Sequence, residues 1–135
     1  MTETALSPDL RVLVYTSLLC LLLWMPYILA AIFKFGLFRA AGYPAPDMSE
    51  LDPWVGRSYR AHANLAENLA PFAALVIVAH LIGAANEATA AASWAFFWAR
   101  VVQAGAHTLA VPLVRTLAFF VGWGGNICIL YQILY

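Results

Sequence analysis

The sequence predicts an all-α integral membrane protein, a single four-helix bundle spanning residues 1–135. Three observations carry that prediction. Apolar residues make up 64% of the chain and charged residues only 10%, where a soluble domain of this size carries roughly a quarter charged. The apolar residues gather into four stretches of about 20 residues, the length that crosses a hydrocarbon core of roughly 30 Å. The later connections are so short that successive helices must be antiparallel neighbours.

The first helix is expected over residues 10–35, from Leu10 to Phe35. Pro26 predicts a kink within it, because proline lacks the amide donor and its ring crowds the preceding turn. The apolar run is too long for a cleaved signal peptide, so this helix is expected to stay in the mature protein. The loop from Gly36 to Arg57 carries Pro44, Pro46 and Pro53 with Asp47, Glu50 and Asp52, and reads as a connection, not a domain. The second helix is expected over residues 58–83, running through Pro71, the third over 89–110 and the fourth over 113–135. Turns around Asn86 and Glu87 and around Val111 and Pro112 separate them. Gly122, Gly124 and Gly125 with Asn126 predict close helix approach and an interhelical hydrogen bond on the fourth helix.

Seven basic and seven acidic residues cancel, so nothing in the charge balance favours nucleic acid. Cys20 and Cys128 lie inside apolar runs without CxxC or Cys/His spacing, and no metal site is expected. Lys34, Arg39, Arg57 and Arg60 all fall in or beside the first loop, which places that loop in the cytoplasm and both termini on the opposite side. Arg115 then returns to the cytoplasmic face.

Helical geometry turns the polar residues into a constellation. At 100° per residue, Arg57, Arg60, Asn64, Glu67 and Pro71 fall within about 80° of one another, with His62 on the far side. Arg100, Gln103 and His107 share a similar sector on the third helix. Neither stripe can face lipid without leaving polar groups unsatisfied, so the two are expected to face each other. Glu67 and Arg100 both lie about 15 Å below the cytoplasmic boundary and are expected to pair. An isolated arginine at that depth costs at least about 2.5 kcal/mol. The expected result is a polar cleft with Arg57, Arg60, Arg115 and Lys34 at a positive mouth and a carboxylate at its inner end. Such a cleft suits a small zwitterion or polyanion whose carboxylates meet guanidinium groups.

The segment Arg60-Ala-His-Ala-Asn-Leu-Ala-Glu-Asn-Leu-Ala-Pro-Phe72 resembles the second-helix signature of the MAPEG family, the membrane-associated proteins of eicosanoid and glutathione metabolism. Phe96-Phe97-Trp98-Ala99-Arg100-Val101 resembles the third-helix motif. Pro112-Leu113-Val114-Arg115-Thr116-Leu117-Ala118-Phe119 resembles the start of the fourth helix, and Trp24-Met25-Pro26-Tyr27 extends the resemblance to nearly the whole chain. It is closest to the short bacterial members, which implies a bacterial inner membrane.

The resemblance implies a homotrimer that binds glutathione between neighbouring subunits on the cytoplasmic side. It also implies a glutathione transferase or peroxidase acting on a lipophilic electrophile that enters from the bilayer lipid. By the matching positions, Asn64 and Glu67 bind the glutathione backbone, Arg60 and Arg100 belong to the polar core with Gln103 and His107, and Arg115 and Thr116 lie nearest the thiol. A guanidinium and a hydroxyl donor there would favour the thiolate of a group whose ordinary pKa is about 8.5. Lys34, Arg57 and His62 are further candidates. This chain departs from the common pattern at three positions: Gln103 stands where histidine is common, His107 where tyrosine is common, and Phe119 where some members carry tyrosine. Two other classes stay open: a non-catalytic binding or scaffold protein of the same fold, and a small proton-coupled transporter using Glu67.

Overall fold

The computed structural model describes residues 5–135. Six α-helices follow in order: α1 Pro8–Leu23, α2 Met25–Phe35, α3 Leu37–Ala40, α4 Pro53–Leu81, α5 Glu87–Thr108 and α6 Pro112–Leu134, with a 3-10 turn at Met48–Glu50. No strand occurs among the described residues. The first apolar segment is thus two helices, α1 and α2, joined at Trp24. Pro26 lies in the first turn of α2, where its missing amide is no loss, and the ladder breaks just ahead of it.

Three helical stretches are long and apolar enough to cross a membrane: Pro8–Phe35, Pro53–Leu81 and Pro112–Leu134, with mean hydropathies of 2.1, 1.4 and 1.6. The remaining long helix, α5, has 22 residues but carries Arg100, Gln103 and His107 along one side. It escapes exposing them by packing against α1, α4 and α6 at once. Large apolar side chains cover the outside of the bundle, among them Leu21, Leu81, Leu117 and Phe120. In water such a surface would drive aggregation; in a bilayer it meets lipid tails.

The core fills the half of the bundle away from the first loop. Phe72 of α4 and Phe96 of α5 stack with ring centroids 4.0 Å apart, and Val12, Val76, Ala79, Ala92 and Ile129 close around them. Gly125 permits the α5–α6 approach here, since a Cβ on it would sit 2.8 Å from the Ala92 carbonyl oxygen. The Asn126 Oδ1 atom, expected to take part in an interhelical hydrogen bond, is buried without a partner.

Polar bonds fasten this end of the bundle. Asn86 caps α5 by accepting from the Ala88 and Thr89 amides at 2.8 and 3.0 Å, and its side chain donates to Gln132 of α6 at 2.7 Å. The Thr89 hydroxyl reaches Asp9 at the start of α1 over 2.6 Å. Asp9 is only 3% exposed, yet its carboxylate lies beside the N-terminal turns of both α1 and α5, where helix dipoles favour negative charge. Three helices are pinned together at the end opposite the polar cavities.

Candidate functional site

Two cavities open where α4, α5 and α6 meet at the first-loop end. One, of about 300 Å³, is lined by Arg57 and Arg60 of α4, Ala106 and His107 of α5, and Arg115 of α6, with the α5–α6 turn as its rim. The second, of about 320 Å³, is lined by Asn64, Gln103, His107, Arg115, Thr116, Phe119 and Phe120. His107 and Arg115 belong to both linings, so the two form one bent site. Each part lies at the low end of the range for small-molecule sites, about 300–1,000 Å³. Neither lining contains a carboxylate.

Each cation owes its place to a local feature. Arg57, half-buried at the start of the second turn of α4, donates through Nε to the Thr108 carbonyl at 2.9 Å. That carbonyl belongs to the last turn of α5, where the helix dipole favours a cation, so Arg57 both walls the cavity and ties α4 to α5. Arg60, one turn on, and Arg115, in the first turn of α6, are exposed and have their guanidinium groups available to a ligand. The rim is set by Ala110, whose φ of 60° lets the Val111 amide bond back to Ala106 at 2.8 Å and turns the chain into α6.

Arg100 lies behind the second cavity rather than in it. It is 2% exposed and donates to Asn64 Oδ1 and to the Phe119 carbonyl, each at 3.3 Å. Its guanidinium carbon sits 5.2 Å from the Phe96 ring centre and 5.6 Å from that of Phe119, within the range of cation–π attraction. Gly122 makes the room: a Cβ there would overlap the guanidinium.

The expected Glu67–Arg100 pair is absent. Glu67 is exposed on α4 and lines neither cavity, while Asn64 takes the place opposite Arg100. The physical reason is the helical step: three residues turn the side chain about 60°, enough to carry Glu67 out of the stripe that Asn64 occupies. The inner end of the site is therefore a hydrogen-bonded cation flanked by aromatic rings, and the whole site is positive.

Four buried polar atoms of α5 have no partner: Ser93 Oγ in the core half, and Arg100 Nε, Gln103 Oε1 and His107 Nδ1 toward the cavities. Spacings of three and four residues place the last three in a line leading from the cavities toward the core. The core half leaves Ser93 Oγ and Asn126 Oδ1 unpaired as well, but here the unpaired groups gather beside open cavities. Unpaired buried polar groups each cost about 1–3 kcal/mol, so they mark where water or a ligand belongs.

Thr116 lines the second cavity, but its hydroxyl donates to the Pro112 carbonyl at 3.0 Å. It therefore faces a ligand as an acceptor unless that bond opens. Lys34 is exposed near the end of α2 and lines neither cavity. His62 points away from the cleft, as its helical angle requires, and is hydrogen-bonded through Nδ1 to the Tyr27 hydroxyl at 2.8 Å, joining α4 to α2. No cluster of metal ligands occurs among the described residues. Sequence reasoning missed Phe96 and Phe120; the four-residue interval from Phe96 to Arg100 was the available signal for the first.

A separate groove of about 390 Å³, lined by Trp98, Val102, Val114, Leu117, Ala118 and Val121, runs between α5 and α6. It lies on the face of α6 opposite Thr116 and Phe119, because Val114, Leu117, Ala118 and Val121 form their own helical stripe.

The model of the MAPEG family matches residues 12–135 of the chain. No curated protein matches closely enough to count as a relative.

Proposed function

Given that the chain belongs to the MAPEG family and is an integral membrane protein, we propose that the paired cavities bind glutathione and present its thiol to a lipophilic electrophile. The observation that carries this reading is the carboxylate-free lining at the α4–α5–α6 junction, whose charged groups are Arg57, Arg60 and Arg115. Glutathione carries two carboxylates, and Arg57, Arg60 and Arg115 around the first cavity supply guanidinium partners for them. The thiol then lies in the second cavity, near Arg115 and Thr116, while Asn64 and Gln103 meet the peptide groups and Arg100 adds positive potential from behind. A lipophilic co-substrate approaches along Phe120, which lines that cavity and is 59% exposed.

The amine of glutathione needs an acceptor that neither lining supplies. Glu67 faces outward from α4. In a homotrimer it would meet glutathione held by the neighbouring subunit, so the proposed site is shared between copies. The proposed setting is a bacterial inner membrane with the cavities on the cytoplasmic side. A second reading, a binding or scaffold protein without catalysis, draws support from Thr116, whose hydroxyl hydrogen is committed to Pro112, and from Phe119, which has no hydroxyl.

Calorimetric titration of glutathione into detergent-purified protein tests the proposal. Arg60→Ala and Arg115→Ala are suitable variants because both side chains are exposed and neither supports the core. Saturable binding weakened roughly tenfold or more in each variant is expected, since a charge-assisted hydrogen bond contributes about 1.5–3 kcal/mol. No binding at millimolar glutathione would sink the proposal.

A further inference from the structure

We infer that His107 is the group that takes the thiol proton. The inference rests on the glutathione reading above and assigns a catalytic role within that same site. Every other polar side chain in the two linings is unsuited to the task. Arg57, Arg60 and Arg115 present guanidinium groups, which donate and have no acceptor for a proton. Asn64 and Gln103 are amides, and the Thr116 hydroxyl is a negligible base at neutral pH. Imidazole is the one side chain there whose proton exchanges in the neutral range.

Position supports the same assignment. His107 belongs to both linings, so it lies at the bend between the carboxylate-binding arginines and the cavity proposed for the thiol. Its Nδ1 is buried with no partner, and no hydrogen bond among the described residues fixes the ring. His62, by contrast, is tied to Tyr27 and serves the fold. The division of labour is therefore between Arg115, a fixed charge that favours thiolate, and His107, an acceptor that holds the proton nearby.

The step balances without any further reagent. The S–H bond breaks with its electron pair left on sulfur, and a new N–H bond forms on the imidazole. That sulfur pair then makes the C–S bond to an aryl halide while chloride leaves with the C–Cl pair. The imidazolium finally returns its proton to water.

A proton inventory on the wild-type protein tests this without relying on any variant's stability. Glutathione binding is measured by calorimetry in buffers of different ionisation enthalpy, beside the ultraviolet difference absorbance of the bound thiolate. The expected result near neutral pH is fewer protons released to buffer than thiolates formed, because His107 retains them. His107→Gln should still bind glutathione within a few fold. Its turnover of an aryl halide should fall about 100-fold at neutral pH, the lower end of the range for general-base removal, with the deficit shrinking as pH rises. One proton released per thiolate in the wild type, or an unchanged pH–rate profile in His107→Gln, would overturn the assignment while leaving glutathione binding intact. Failure of the wild type to bind glutathione would remove the reading and this inference together.

Discussion

Gly122→Ala isolates the contact that lets an arginine sit in the middle of the bundle. The added Cβ would lie 3.0 Å from both Cζ and Nε of Arg100 and would overlap its terminal nitrogen. Carbon contacts settle at about 3.5–4.0 Å, so the guanidinium must retreat by roughly 0.5–1 Å. It has little freedom to do so, being 2% exposed and flanked by Phe96 and Phe119. Its bonds to Asn64 and to the Phe119 carbonyl are already 3.3 Å long, and such a shift would break at least one. Overpacking of about 1–3 kcal/mol and a lost charged hydrogen bond of about 1.5–3 kcal/mol are offset by about 1 kcal/mol of helix propensity. The expected net loss is about 1.5–5 kcal/mol. Detergent-titration unfolding in mixed micelles, followed by the fluorescence of the five tryptophans, measures it. In an Arg100→Met background the overlap disappears, and the same alanine should become neutral or mildly stabilising. An equal loss in both backgrounds would refute the reasoning, because the cost would then have nothing to do with the guanidinium.

Neighbouring positions give sharper contrasts. Gly125→Ala presses on the Ala92 backbone carbonyl, which cannot swing aside, so it should cost about 1–3 kcal/mol whatever stands at residue 100; Gly124→Ala meets nothing within 4 Å and should stabilise by up to about 1 kcal/mol in the same titration. Ala110 holds a left-handed φ of 60°, so Ala110→Gly should raise stability by about 1 kcal/mol, read as a shift in the unfolding midpoint. Thr89→Val strands the Asp9 carboxylate at 3% exposure and should cost about 2–3 kcal/mol; hydrogen exchange should show the loosening first at the Asn86 end of α5.

Much of this architecture was legible in the residues because the bilayer restricts the options. A chain this apolar with few breakers has only helices available, and Pro26 marks the one interruption in the first segment, though the ladder breaks at Trp24 just before it. The α5 stripe of Arg100, Gln103 and His107 follows from spacing alone, and the structure brings it against Asn64, Arg115 and Thr116. The Glu67–Arg100 pair failed because depth and sector fix a side chain only to within about 60°, the offset between residues three apart on a helix. Asn64, nearer the centre of the sector, took the position. The Asp9–Thr89 contact was hidden for a different reason: Asp9 reads as part of a tail, and only tertiary packing brings two helix N-termini beside it. Ala110 gave no signal at all, since glycine is the residue that ordinarily announces a left-handed helix end.

Site mapping with a photoreactive glutathione analogue, followed by peptide mass spectrometry, puts the central claim to the most direct test. The account predicts crosslinks confined to the α4 segment around Arg57–Glu67, the α5 segment around Gln103–His107 and the α6 segment around Arg115–Phe120, all suppressed by excess glutathione. Crosslinks that competed with glutathione but mapped to the Asn86 end of the bundle or to the α2–α3 region would contradict it.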